Sequence, residues 1–145
     1  MLFSSHKIQK WYLICFAMVW LTTMIITAGC GTPGKDLPVS ESTATIGSDN
    51  VQEVNIEVAS FYFKPNRIQV AANVPVRLIL KSSTFIIPHN FSLHAPEAGI
   101  DFNKNVGHGK KVVVEFTPTK PGEYQFFCGK DSHAKKGMTG TLVVK

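Results

Sequence analysis

The stretch that decides the fold of this 145-residue chain is residues 122–140, which read GEYQFFCGKDSHAKKGMTG. Its first part alternates aromatic and polar residues up to Cys128, which is typical of a β-strand with one buried face. The residues between Cys128 and Thr139 are mostly Gly, Lys and small polar types, which favour a loop. The stretch therefore predicts a strand that brings a cysteine to the edge of a core, then a loop, then a closing strand over residues 139–144.

Short strand-like runs recur upstream of this stretch, separated by turn signals such as Lys64-Pro65-Asn66. We predict strands over residues 51–58, continued by 61–63, and over 67–70, 76–80, 86–94, 111–116 and 123–128. Residues 95–109 are predicted to be irregular, as a loop with a short helix or as a plain crossover. About seven short strands in about 95 residues predict an all-β sandwich.

Pro121-Gly122-Glu123-Tyr124 resembles a tyrosine corner, in which the hydroxyl of a Tyr near a strand start bonds to upstream backbone. Side chains of a strand alternate between its faces, so Tyr124, Phe126 and Cys128 are predicted to share one face. We expect Tyr124 and Phe126 to fill the core, which leaves the Cys128 thiol at its end.

The first 30 residues are typical of an export signal or a membrane anchor. Lys7 and Lys10 precede an uncharged, mainly apolar run from Trp11 to Cys30 that is long enough to cross a bilayer. The run ends in Thr27-Ala28-Gly29-Cys30, which resembles a bacterial lipobox and makes Cys30 a candidate lipidation site. An uncleaved anchor and an ordinary cleaved signal are the alternatives. All three place the remainder outside the cytoplasm, in the periplasm or an equivalent space, with the first two tethering it to the membrane.

Residues 31–50 are rich in Gly, Pro, Ser, Thr and Asp and show no hydrophobic period, so we predict a flexible linker. The predicted organisation is therefore a signal or anchor over 1–30, a linker over 31–50 and one domain over 51–145. The chain carries 15 basic and 10 acidic residues. An excess of this size without a clustered Arg stripe argues against a nucleic-acid partner.

Cys128 is the only cysteine of residues 51–145, because Cys15 and Cys30 belong to the apolar run. An internal disulfide is therefore excluded in this domain. A lone cysteine is an inert core thiol, a nucleophile or a metal ligand, and its neighbours decide between these roles.

Those neighbours are His133 and Met138 in the same loop and His89 in a separate predicted strand, where it follows Pro88. Four residues separate Cys128 from His133, and four separate His133 from Met138. One thiolate, two imidazoles and one thioether form a soft ligand set of the kind found in blue copper sites. The set predicts a metal site of His89, Cys128, His133 and Met138.

Residues 51–145 resemble the cupredoxin family. The resemblance rests on Pro88-His89-Asn90-Phe91, on residues 122–128 and on the pattern Cys128-x4-His133-x4-Met138-x-Gly140, with a ligand loop similar to the longer ones of azurin- and rusticyanin-like members. It implies a Greek-key β-sandwich and one mononuclear type 1 copper ion. It also implies that Asn90 stabilises the ligand loop from outside the ligand set.

The resemblance implies single-electron transfer between extracytoplasmic or membrane redox partners, such as cytochromes or membrane oxidoreductases, and no enzyme activity. His133 would be the exit route because this ligand lies near the surface in the family. It is flanked by Lys130, Lys135 and Lys136, which either steer an acidic partner or keep a solvated loop soluble. The alternative is copper binding for storage, delivery or sensing.

Other metal and catalytic readings fit the sequence less well. Multicopper oxidases and copper nitrite reductases carry extra His motifs, including one beside the Cys, whereas Phe127 and Gly129 flank Cys128. The binuclear site of oxidase subunit II needs two loop cysteines. Zinc on Cys and two His, or a cysteine nucleophile, leaves Met138 unexplained. His94 and His108 are expected to be solvated or hydrogen-bonded, with a second copper site as the alternative.

Overall fold

The computed structural model describes residues 38–145, which form strands and turns with two short 3-10 helices, Pro96–Ala98 and Ala134–Lys136. The strands are β1 (Glu41–Thr43), β2 (Thr45–Ile46), β3 (Gln52–Ala59), β4 (Tyr62–Lys64), β5 (Arg67–Val70), β6 (Val76–Ser82), β7 (His89–Ala95), β8 (Ile100–Val106), β9 (Lys111–Phe116), β10 (Gly122–Phe127) and β11 (Thr139–Val144). No helix in this described part is long and apolar enough to cross a membrane. The predicted signal or anchor, the lipidation site Cys30 and the linker residues 31–37 lie outside the described residues.

The strands form two mixed sheets, one ordered β1-β5-β11-β10-β7-β8 and the other β2-β3-β6-β9, with β4 paired to β3. Parallel pairs, such as β3 with β6, occur beside antiparallel ones, such as β10 with β11. Buried apolar residues from both sheets form one core cluster. The predicted all-β sandwich is confirmed.

Three aromatic rings pack against one another in the core. Phe63 packs edge-on against Phe91 and Phe126, with ring centroids 5.2 and 5.4 Å apart, and Phe91 lies 4.7 Å from Phe126. Phe63 belongs to one sheet, and Phe91 and Phe126 belong to the other, so the three rings connect the two layers. Such pairs add roughly 0.5–1.5 kcal/mol each beyond the area that they bury.

The tyrosine corner forms as predicted, because the Tyr124 hydroxyl donates to the Lys120 carbonyl at 3.0 Å. Tyr124 is only partly buried against the core, whereas Phe126 and Cys128 are fully buried. The expectation that Tyr124 fills the core is therefore met only in part.

The prediction that residues 61–63 continue the strand 51–58 is wrong. Ala59 pairs with Tyr62, so the chain reverses over Ser60 and Phe61, and β4 folds back antiparallel on β3. The turn carries no Gly, Pro or Asn, and the residues around it are mainly apolar, so the sequence did not indicate a turn.

The prediction of an irregular segment over residues 95–109 is wrong for residues 100–106, which form β8, whereas the short helix that it allowed is present at Pro96–Ala98. A 3-10 turn at Pro96–Ala98 leads into β8, which pairs with β7 through seven residues. The centre of β8 is polar and exposed, since it is an edge strand. β8 is held by backbone hydrogen bonds to β7. Its sequence shows no apolar alternation from which a strand could be predicted.

The predicted linker is too long at its carboxyl end, since residues 41–46 belong to the sheets. β1 pairs with β5, and β2 pairs with β3. The Ser40 backbone N–H donates to the Asn66 side chain at 2.8 Å, which fixes the entry of the chain. These short polar strands cover open sheet edges, so neighbouring backbone stabilises them more than their own side chains do.

Candidate metal centre

The ends of two adjacent strands and one loop supply the candidate ligands. His89 is the first residue of β7, and Cys128 follows the last residue of β10, its antiparallel neighbour. His133 and Met138 lie in the ligand loop, residues 128–138, which leads into β11. Antiparallel pairing therefore places the end of β10 beside the start of β7, and the loop folds over both.

Three of the four candidate side chains meet. The Cys128 Sγ atom lies 3.4 Å from His133 Nδ1 and 3.9 Å from His89 Nδ1. One ligand atom from each of these residues lies within 4.8 Å of the other two, in a group that could hold a metal ion. A metal about 2.0 Å from nitrogen and about 2.3 Å from sulfur, in a trigonal plane, would separate N and S by about 3.7 Å. The observed distances fit such an ion.

The cluster is withdrawn from water. His89 and Cys128 each retain 1% of their exposure, and His133 retains 5%. Burial, with a smaller contribution from the charge of His133, lowers the pKa of His89 to about 4. The His89 imidazole is therefore neutral at neutral pH, which is the form that binds a metal. Its Nε2 atom is buried without a hydrogen-bond partner, and its Nδ1 atom is the ring nitrogen that lies near Cys128.

Met138 is fully buried, and its backbone joins the other two loop residues. Its N–H donates to the His133 carbonyl, and its carbonyl accepts from the Cys128 N–H, both at 3.0 Å. These bonds close the ligand loop at its neck. They hold the Met138 backbone beside Cys128 and His133, two of the other predicted ligands.

Asn90 ties the His89 strand to the ligand loop. Its side-chain oxygen accepts from the Gly129 N–H at 2.6 Å, and its backbone N–H donates to Cys128 Sγ at 3.5 Å. Its side-chain nitrogen donates to Asn103 and Ser92 at 2.7 and 3.1 Å. The sequence did not indicate Ser92 or Asn103, whose part depends on the pairing of β7 with β8.

A family profile for the cupredoxin-like domain matches residues 13–144. The chain is a cupredoxin. The donor set and the distances in the site fit one copper ion, as this family membership implies. No curated protein matches the sequence significantly.

Solved structures similar to this cupredoxin agree on the fold. The metal-binding domain of the Cu(I)-exporting P-type ATPase of Streptococcus pneumoniae, solved with Cu(I), is 21% identical with a TM-score of 0.58, covering 75% of this chain and 99% of that one. Reduced auracyanin of Roseiflexus castenholzii is 19% identical with a TM-score of 0.56, covering 68% and 99%. Reduced rusticyanin is 18% identical with a TM-score of 0.58, covering 79% and 91%. At these identities the likeness concerns the fold alone.

His133, which the resemblance implies lies near the surface, is covered by a side chain from outside the ligand loop and retains 5% of its exposure. The Phe61 ring packs edge-on against it, with centroids 5.0 Å apart and planes at 86°, and Lys136 Nζ lies 4.4 Å from the Phe61 centroid. Phe61 belongs to the β3–β4 turn of the other sheet. The sequence did not indicate this contact, because Phe61 was predicted to lie within a continuous strand and not in a turn.

The two other histidines of the domain lie apart from the cluster. His94 is exposed at the far end of β7, where its Nδ1 lies 3.0 Å from Asp101, and this carboxylate raises its pKa. His108 Nδ1 contacts the Thr84 carbonyl, and its ring lies 4.1 Å from that of Phe85. Both are hydrogen-bonded, as expected, and neither joins a group suited to a metal among the described residues.

Proposed function

We propose that this cupredoxin is an extracytoplasmic electron-transfer protein that passes single electrons between redox proteins. The observation that carries the proposal is the buried approach of Cys128 Sγ to the Nδ1 atoms of two histidines. The proposed copper ligands are His89, Cys128, His133 and Met138. Copper held there supplies a one-electron step between its Cu(II) and Cu(I) states.

The residues around the site supply rigidity. His89 sits at the start of a strand paired on both sides, and the neck of the ligand loop is closed by one backbone hydrogen bond between Cys128 and Met138. A ligand frame that moves little between two oxidation states lowers the reorganisation that accompanies electron transfer. Burial of the imidazoles keeps water from competing as a ligand.

Export and tethering complete the proposal. The basic and apolar pattern of residues 1–30 supports an exported domain held at a membrane, with Cys30 as the candidate lipidation site. Ser40, where the tether would enter the domain, bonds to Asn66, whose carbonyl accepts from Thr141, three residues after Met138. A tether that enters the domain at this point would keep the domain at the membrane surface, within reach of membrane redox proteins.

The test is a titration of the purified protein with Cu(II), followed by visible and paramagnetic-resonance spectroscopy. We expect an intense visible thiolate-to-copper band with narrow copper hyperfine splitting, lost in Cys128→Ala and retained in His94→Ala. His94 is a matched control because it lies on the same strand but outside the cluster. A colourless complex, or weak ordinary copper absorption, would refute a type 1 site.

Copper delivery is the second candidate, favoured by the likeness to an exporter domain solved with Cu(I). Electron self-exchange of the loaded protein separates the two functions. Fast exchange with slow loss of copper to a chelator supports electron transfer. Slow exchange with rapid release of Cu(I) supports delivery.

A further inference from the structure

His133 is more protected than its place in a surface loop suggests. Its neighbours Ser132 and Lys135 are exposed, yet His133 keeps only 5% of its exposure. The side chain that packs edge-on against its ring is Phe61, which reaches it from the β3–β4 turn. The cover over this imidazole therefore includes an element outside the ligand loop.

Lys136 adds a second contact above Phe61. Its Nζ lies 4.4 Å from the centroid of the Phe61 ring, within the range of a cation–π interaction. Lys136 lies three residues after His133, and its N–H donates to the His133 carbonyl at 3.0 Å. The ring of Phe61 thus contacts both the imidazole of His133 and the ammonium group of Lys136, which lie on one short helical turn.

The backbone of Phe61 is unusual for its residue type. Ala59 pairs with Tyr62, so Ser60 and Phe61 form a two-residue hairpin turn, and Phe61 has φ of 66°. Gly or Asn is the ordinary residue at such a position, since a bulky side chain is strained there. Strain of this kind persists where the side chain has a task that the surrounding structure supports. The contact of Phe61 with His133 is such a task.

We propose that Phe61 is a lid over His133, held closed by Lys136, and that copper reaches or leaves the site when this turn opens. The proposal rests on the proposed role of His133 as a ligand. With the lid closed, the His133 ring is shielded from water and from competing ligands. Because the lid belongs to another sheet than the ligand loop, it opens without disturbing the neck at Cys128 and Met138.

The experiment uses Phe61→Gly in the full chain. Glycine accepts a positive φ without strain, so this variant removes the lid while easing the turn. Asn73→Gly is the matched control, because Asn73 also has a positive φ of 60° and lies in the β5–β6 turn, outside the site. Phe61→Tyr keeps an aromatic ring and should keep the lid, and Lys136→Gln removes only the cation.

Two readouts follow the lid. In the copper-free protein, carbethoxylation of His133 by diethyl pyrocarbonate is measured by peptide mass spectrometry, with exposed His94 as the reference. In the protein loaded with Cu(I), the rate of metal transfer to bathocuproine disulfonate is measured. We expect both rates to rise roughly tenfold in Phe61→Gly and several-fold in Lys136→Gln, from the size of the two ring contacts. They should stay unchanged in Asn73→Gly and Phe61→Tyr.

The proposal is overturned if Phe61→Gly leaves the carbethoxylation rate of His133 unchanged. It is also overturned if His89, whose ring contacts His133 and not Phe61, gains reactivity equally, since that result means general loosening. A parent protein that binds no copper would refute the proposed function and, with it, the part of the lid in copper entry, whereas an unchanged His133 reactivity in Phe61→Gly would refute the lid alone.

Discussion

The side-chain oxygen of Asn90 lies 2.6 Å from the Gly129 nitrogen and accepts its hydrogen bond. This bond joins the residue after His89 to the residue after Cys128, so it fixes the spacing of two proposed ligands on neighbouring strands. The family resemblance implied that Asn90 stabilises the ligand loop, but the bond to Gly129 depends on the pairing of β7 with β10.

Asn90→Ala should destabilise the copper-free protein by about 1–3 kcal/mol, because it leaves the Gly129 N–H without its partner. It should also shift the visible copper band, since the Asn90 side chain would no longer hold Gly129, the residue that follows Cys128. Urea unfolding and absorption spectra measure the two effects. Asn105→Ala, at an exposed position of β8 opposite Asn90, is the control and should change neither.

Gly140→Ala should destabilise the protein by about 1–3 kcal/mol or more, because the added methyl group has no space. A Cβ at this position would overlap the Phe126 ring and lie 2.5 Å from the Asn66 carbonyl. Thermal unfolding measures the loss. Gly107→Ala is the control, since its Cβ would meet only Lys110 at 3.6 Å. Equal stability of both variants would contradict the packing described for β11.

The copper-free protein should lose stability as the pH falls from about 6.5 to about 4. The pKa of His89 is lowered from 6.5 to about 4 in the folded state, chiefly by burial, so in this range the unfolded chain binds a proton that the folded one does not. The contribution is at most about 3 kcal/mol, and it is fully present above pH 6.5. Urea midpoints measured against pH give the slope.

His89→Gln should flatten that slope. His94→Gln is the control with the opposite sign, because Asp101 raises the pKa of His94. Its contribution is present below pH 6.5 and lost as the pH rises through the folded value. An unchanged slope in His89→Gln would show that other groups cause the acid sensitivity.

Met138→Leu should keep the fold, since a volume-conserving swap in a core costs less than about 1.5 kcal/mol. The protein should still bind copper, with a raised reduction potential. Loss of the thioether leaves a more apolar site, which disfavours the more highly charged Cu(II). Voltammetry measures the potential. Leu142→Met, a buried swap further along β11, should leave it unchanged, and equal potentials for both variants would remove Met138 from the ligand set.

Local pattern located most strands but not all. The runs 67–70, 111–116 and 139–144 match β5, β9 and β11, because their apolar side chains line the core of a two-layer fold. The polar edge strands escaped, as β8 and residues 41–46 show, whereas the more apolar edge strand β9 was located. The polar ones are held by backbone bonds to a neighbour and not by a buried face, so they leave little trace in the sequence.

The candidate ligands were readable because metal chemistry restricts residue type and loop spacing together. His89, Cys128, His133 and Met138 could be named from the sequence, and the structure brings the first three within reach of one another. The hydrogen bonds of Asn90 to Ser92 and Asn103 could not be predicted from the sequence, because they depend on which strands pair.

Local sequence was enough to predict the all-β class, because this follows from short-range alternation. It was also enough to predict the candidate donor set and the succession of its members along the ligand loop, because these follow from side-chain chemistry. The burial of His133 and the side chain that covers it depend on the tertiary structure. Phe61 and His133 lie 72 positions apart, and their contact arises because one sheet turns back over Ser60 and Phe61 at the point where the other sheet ends in the ligand loop. A contact between two layers depends on how the sheets pack, and local sequence does not encode that packing.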